Sequence, residues 1–231
     1  MTSRNVFITG GTGYVGSVLI PILLDRGHTV RALARKGSEH KLSRVCEAVL
    51  GDALDAASFA DRIRPSDTFI QLVGVPHPSP AKASQFQSID LASARASVSA
   101  AANANIAHFI YVSVAQPAPV MKAYQSARAE AESLIRASGM KATILRPWYV
   151  LGPGHRWAYA LKPMYWLFER LPATRDTARR LGLVTLEEIV AALVQSVESP
   201  ASQTRILDVP AIRSAPSARL KEIAAAKTVS E

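Results

Sequence analysis

Near its start the chain runs from a short β-branched and aromatic segment, Val6 to Thr9, into Thr9-Gly10-Gly11-Thr12-Gly13-Tyr14-Val15-Gly16. Apolar residues then follow at Val15, Val18, Leu19, Ile22 and Leu23, the spacing of one helix face. A buried strand, a glycine-rich turn and a helix in that order meet a narrow physical demand. The chain must turn tightly, let backbone N–H groups approach a ligand, and bring the helix close to the sheet. Gly10, Gly13 and Gly16 supply the missing side chains at three-residue intervals. The positive end of the helix then faces any phosphate at the turn, a contribution of roughly 0.3–2 kcal/mol. The expectation is a dinucleotide pyrophosphate site.

Further strand and helix patterns alternate behind this unit. Strands are expected at Thr29 to Ala34, Ala48 to Leu50, Thr68 to Val73, Phe109 to Val112, Ala142 to Leu145 and Arg205 to Val209. Helices are expected at Tyr14 to Arg26 (interrupted by Pro21), Ala56 to Ile63, Gln85 to Ala102, Met121 to Ala137 and Thr185 to Val197. Such alternation implies an α/β fold: a doubly wound parallel sheet with helices on both faces. With no internal repeat and no Gly/Ser linker, residues 1–210 read as one domain. Within it, a small C-terminal substrate lobe is expected at about 150–204, marked by Trp157, Tyr159, Tyr165, Trp166 and Phe168. That aromatic stretch suits an apolar pocket or packing, and less well a membrane-contacting face with Arg170, Arg175 and Arg179. Residues 211–231 are rich in Ala and Ser and read as a loosely held tail.

Composition removes several function classes. Lys and Arg number 27 against 18 Asp and Glu, a formal charge of +9. The basic residues are scattered, with no run of five like charges and no zinc-finger or RNA-binding signature, so no nucleic-acid partner is expected. Cys46 is the sole cysteine, which rules out an internal disulfide and leaves a packing role. His77 and His155 lie in separate loops without ligand spacing, so no metal site is expected. No Walker loop or nucleophile elbow occurs. No apolar stretch reaches the roughly 18 residues of a membrane span. The start, Met-Thr-Ser-Arg-Asn, passes straight into Val6 without room for a signal peptide, so a cytoplasmic protein is expected.

The segment after the second strand separates NAD from NADP. An NAD site places an acid there to grip the adenosine ribose hydroxyls. Between Arg26 and Ser38 there is no acid, whereas Arg31, Arg35 and Lys36 are present. A guanidinium welcomes a 2′-phosphate that a carboxylate would repel. One such charged hydrogen bond is worth roughly 1.5–3 kcal/mol, about ten- to a hundredfold in affinity. NADP(H) is therefore the expected cofactor, NAD the less favoured one, with Arg35 as main phosphate ligand and Arg31 a weaker candidate.

From about residue 4 to 210 the chain resembles the short-chain dehydrogenase/reductase superfamily, and most of all its atypical members with NAD(P)H-binding or epimerase-like character. The resemblance is carried by the glycine segment, Gly51-Asp52, Leu72-Val73-Gly74, Tyr111-Val112-Ser113, Tyr124 with Arg128, Leu145-Arg146-Pro147 leading to Gly152-Pro153-Gly154, and Val184 to Ile189. It implies a Rossmann fold in which Thr12, Tyr14 and Val15 line the pyrophosphate. Asp52 and Ala53 would border the adenine, Leu72, Val73 and Gly74 the nicotinamide-side ribose, and Pro147 to Val150 the nicotinamide. From the residues alone, Asp52 is equally a turn residue after a strand.

The superfamily's chemistry uses a tyrosine as acid/base, a lysine four residues on that tunes the phenol and holds the ribose, and a serine on the substrate oxygen. Here Tyr124, Arg128 and Ser113 are the corresponding candidates, with arginine in the lysine position and Val114 where a second serine is common. Arginine keeps the charge but not the compact ammonium. The resemblance thus implies an oxidoreductase or epimerase-like enzyme on a small, fairly hydrophobic substrate. The arginine keeps a non-catalytic NADP(H)-binding sensor or assembly protein as the alternative. The helices at 85–102 and 121–137 match the superfamily's usual dimer-forming pair, which leaves a homodimer open.

Overall fold

The structure, a computed structural model, describes residues 2–153 and 175–216. Nine strands occur among them: β1 (Asn5–Thr9), β2 (Thr29–Ala34), β3 (Glu47–Leu50), β4 (Thr68–Gln71), β5 (His108–Val112), β6 (Ala142–Leu145), β7 (Tyr149–Leu151), β8 (Leu183–Thr185) and β9 (Thr204–Leu207). Seven form one sheet in the order β3-β2-β1-β4-β5-β6-β9, while β7 and β8 pair separately. Every pairing is parallel. The reversal of strand order between β1 and β4 is the switch point at which doubly wound sheets take their ligands.

The helices are α1 (Gly16–Asp25), α2 (Ala92–Asn103), α3 (Lys122–Ala137), α4 (Arg175–Arg180), α5 (Leu186–Glu198) and α6 (Val209–Arg213). Buried on both faces, the central strands read as continuous apolar runs, with Val6, Phe7 and Ile8 all fully buried. Alternation along β1 splits the core in two. Val6 and Ile8 join Leu19, Leu23, Ile189 and Leu193 of α1 and α5. Phe7 faces α2 and α3 instead. Register sets Phe7 beside Phe69 and Phe69 beside Phe109, so three rings pack across neighbouring strands at 5.2 Å centroid spacings. α5 starts at a capping box: Thr185 Oγ1 accepts from Glu188 N, and the Glu188 carboxylate accepts from Thr185 N.

The expected helix at Ala56 to Ile63 is instead two 3₁₀ turns, Ala56–Ser58 and Ala60–Arg62. Ser58 Oγ accepts from Asp52 N and lies within hydrogen-bond reach of the Asp52 and Asp55 carbonyls, and Phe59 adopts φ −143° to seat its ring in the core. Ahead of α2 the expected helix is also irregular, with a helical turn at Ala83–Gln85 and a π-helical stretch at Phe86–Leu91. Of the stretch read as a tail, Ile212 and Ala215 among the described residues belong to the core. The short strands β7 and β8 had no periodic signal. The aromatic stretch at 157–168 lies outside the described residues.

Candidate functional site

The glycine loop leaves β1 with Gly10 at φ +79°, a conformation that penalises any Cβ. A Cβ there would also lie 2.8 Å from the Leu72 carbonyl carbon and 2.9 Å from Val73 N. The loop thus presses on the chain leaving β4, and β4 ends at Gln71 rather than at Val73. A Cβ on Gly16 would stand 2.5 Å from Gly10 O and 2.6 Å from Gly11 O, so α1 docks directly on the loop backbone. α1 has no side-chain cap and no acid in its first turn. Its positive end carries no side-chain acceptor, a setting that suits an anion.

A cleft of about 370 Å³ opens at this end of the sheet. Gly10, Thr12 and Gly13 form one wall, Arg35, Asp52 and Ala53 another, and Leu72, Val73 and Gly74 a third. Ser38, Pro76 and Ile89 complete it without any prior signal in the sequence. Arg35 is exposed at the rim, and its guanidinium makes no hydrogen bond or ion pair among the described residues. Arg31 is engaged elsewhere: Nε and Nη2 grip the Glu47 carboxylate at 2.8 and 2.6 Å, and Nη1 donates to the Arg62 carbonyl. Asp52 lines the cleft and also closes a turn, its Oδ1 accepting from Leu54 N at 3.0 Å. Tyr14 and Val15 send their side chains elsewhere. A Cβ on Gly152 would collide with the Tyr14 hydroxyl, and Val15 packs on the α1–α5 core. Pro147 and Val150 are not among the residues of this cleft.

Ser113, Tyr124 and Arg128 lie outside the cleft wall, but Arg128 underlies it. Its Nη2 fills the space a Cβ of Gly74 would need. Nη2 also donates to Asp90 Oδ1, and Nη1 donates to the Val112 carbonyl at 2.9 Å and to Tyr111 Oη at 3.2 Å. The guanidinium lies 5.2 Å from the Tyr124 ring centroid, and the Phe86 ring packs on Tyr124 at 4.9 Å. Asp90 is fully buried and also accepts from Val75 N. Burial pushes the Asp90 carboxyl pKa up, against the pull of Arg128 and the Val75 N–H. Burial works against the Arg128 charge too, but Tyr111, Tyr124 and Asp90 around it hold its pKa above the ordinary arginine value. Asp90 is the one acid between Ala83 and Asn105, which was a signal of sorts.

Ser113 Oγ donates to Glu132 Oε1 at 2.7 Å. Glu132 is also the seat of Gln116 Nε2, Arg136 Nη2 and the fork of Arg146. Burial would raise its pKa, but the hydrogen bonds from Arg146, Ser113 and Arg136 hold it below the usual carboxylate range. Among the described residues no group of His, Cys, Asp and Glu could hold a metal ion, and no helix is long and apolar enough to cross a membrane.

The sheet order, the glycine loop and the cleft at the switch point define a Rossmann-type dinucleotide-binding protein. The chain belongs to the NAD(P)H-binding family, whose model matches residues 10–159. It is 28% identical over 198 residues to a ceramide reductase of Caulobacter vibrioides, covering 84% of this chain and 61% of that protein. It is 30% identical over 114 residues to a 3 beta-hydroxysteroid dehydrogenase/Delta 5→4-isomerase of Mycobacterium tuberculosis, covering 47% and 31%. The chain therefore spans less than two thirds of the length of either relative. Its fold is similar to that of the Bordetella bronchiseptica enzyme WbmH solved with NAD+, at TM-score 0.66 and 19% identity over 90% of this chain and 76% of that one.

Proposed function

We propose that this chain is an NADP(H)-dependent oxidoreductase acting on a hydroxyl or carbonyl of a hydrophobic substrate. The observation that carries the cofactor choice is Arg35: a guanidinium without a partner among the described residues, on the cleft wall, where no acid follows β2. The glycine cradle and uncapped α1 suit a pyrophosphate. The two relatives act, by name, on a ceramide and a steroid, which supports an apolar substrate.

When bound, NADP(H) supplies or accepts the hydride. Tyr124 is the group proposed to hold or take the proton at the substrate oxygen. Ser113 already gives its proton to Glu132, so it can accept a hydrogen bond from a substrate hydroxyl. Arg128 acts through its neighbours: its Nη1 and Nη2 are turned to Asp90, Tyr111 and Val112, and it positions Tyr124 and the Gly74 turn. That same engagement favours a second reading, a non-catalytic NADP(H)-binding protein, because both terminal nitrogens of Arg128 are turned to protein groups and its unpartnered Nε is buried.

Calorimetry with NADPH and NADH on wild type and Arg35→Ala tests the cofactor. NADPH is expected to bind at least tenfold tighter, with the preference erased in the variant; equal affinities in wild type overturn the assignment. Tyr124→Phe separates the two readings in an NADPH-oxidation screen of hydrophobic ketones: turnover lost with nucleotide affinity kept supports the enzyme. Turnover that survives refutes the tyrosine mechanism.

A further inference from the structure

A second cavity, of about 560 Å³, lies beyond the same edge of the sheet but further along it. The cofactor cleft is built on the chain leaving β1, β2, β3 and β4. The second cavity is built on the chain leaving β5 (Ala115, Gln116), β6 (Arg146) and β9 (Asp208), with α4 as its outer wall. Strands sit about 4.8 Å apart, so β6 lies about 10 Å from β4. A ligand here is therefore within one small molecule's length of the Leu72–Gly74 end of the cofactor cleft.

Three arginines line this cavity: Arg146, Arg179 and Arg180. Arg179 and Arg180 make no ion pair among the described residues, and the buried Nε of Arg180 has no hydrogen-bond partner among them. Arg146 is bound to Glu132, but Glu132 takes Arg136 as well, so one carboxylate faces two guanidinium groups. Two acids also line the wall. Asp208 caps its own helix, its Oδ1 accepting from Ala211 N, and with Asp176 it sets two negative charges against the three arginines. Positive charge is in excess, on planar forks that match the oxygens of a phosphate or carboxylate. The cavity is also coupled to the candidate chemistry. Gln116 and Arg146, on its wall, hold the same Glu132 that holds Ser113.

We infer that this cavity is a subsite for an anionic group of the substrate, a phosphate or a carboxylate, held by Arg179 and Arg180 with Arg146 behind them. Calling the ligand a substrate rests on the oxidoreductase reading above; the anion site itself does not. The substrate class becomes an amphiphile: an apolar body presented to the nicotinamide end, with an acidic group anchored under α4.

The test is a two-dimensional amide and arginine-Nε NMR titration of the full chain with inorganic phosphate and, in a separate arm, with acetate. Wild type, Arg35→Ala, Arg179→Ala/Arg180→Ala and Arg179→Lys/Arg180→Lys are compared. Saturable shifts are expected at Gln116, Arg146 and Asp208 with at least one anion. They should persist in Arg35→Ala, weaken at least tenfold in the double alanine variant and largely return with lysine. The arm that saturates at lower concentration identifies the acidic group. Shifts confined to the Gly10–Gly13 loop, or unchanged binding in the double alanine variant, overturn the inference, as does absence of saturation with both anions. Because the cofactor reading is tested by the NADPH preference of wild type and Arg35→Ala, its failure is seen separately from failure of this one.

Discussion

Replacing Arg128 by Met would remove a buried guanidinium and keep much of its volume. In the wild type Asp90, fully buried, has that guanidinium and the Val75 N–H as its partners. Without Arg128, an ionised Asp90 is left in the core with one backbone donor. Breaking one half of a buried pair costs about 3–5 kcal/mol, against the roughly 5–15 kcal/mol that holds an ordinary domain folded. The cost depends on pH in a defined direction. Burial already raises the Asp90 pKa, and Arg128 is the main pull against it. Losing Arg128 raises it further. A carboxyl whose folded pKa lies above its unfolded value of about 3.9 favours the folded state at low pH and loses that favour as pH rises through the window. The destabilisation should thus be largest at pH 7.5 and shrink as pH falls towards 4. Urea unfolding at pH 7.5 and pH 5 measures both. Arg128→Met/Asp90→Asn, which leaves no buried charge, should recover at least half of the loss at pH 7.5. A single-variant cost below about 1 kcal/mol, equal at both pH values and unchanged in the double variant, would refute the buried-pair argument.

Gly16→Ala would place a Cβ 2.5–2.7 Å from the backbone of Gly10 and Gly11, which has no side-chain freedom with which to yield. Overpacking of this kind costs about 1–3 kcal/mol, and NADPH affinity should fall at least tenfold by calorimetry because the loop itself must move. His108 is buried, and burial, followed by the charges of Arg205 and Arg4, lowers its pKa from 6.5 to about 4. The depressed value makes its contribution complete above pH 6.5 and lost as pH falls towards 4, at most about 3 kcal/mol. The slope of unfolding free energy against pH in that window should flatten in His108→Gln.

The half of the molecule that binds nucleotide was legible because backbone sterics write it into the sequence. Gly10, Gly13 and Gly16 are small because the β4 chain and the loop carbonyls occupy the space beside them. The absence of acids after β2 likewise left Arg35 at the rim without a partner among the described residues. Residues that join the cleft through chain reversal, such as Ser38, Pro76 and Ile89, carried no such mark. Short strands failed for a related reason. β7 and β8 have three residues each, too few for a period of two to show. At Ala56 to Ile63 the apolar spacing was real, since Phe59 and Ile63 are both buried, but local bonds from Ser58 and Asp55 overrode the helix.

The candidate catalytic residues could be named in the sequence by type but not by connection. Tyr124 and Arg128 share a helix face, as i and i+4 must, and their contact is ring face to guanidinium. What one helix could not reveal is that Asp90, from a segment 38 residues earlier, claims the Arg128 fork. An arginine with several donors can satisfy a carboxylate, a phenol and a carbonyl at once, whereas a lysine has one nitrogen to place. The substitution of arginine for lysine is therefore not a change of one group at one site. It turns a residue that could reach the cofactor ribose into a clamp joining the Phe86–Leu91 stretch, the end of β5 and the Gly74 turn. Under the proposed oxidoreductase reading, that clamp fixes the site's geometry from beneath, and Tyr124 carries the proton with an arginine, not a lysine, four residues on.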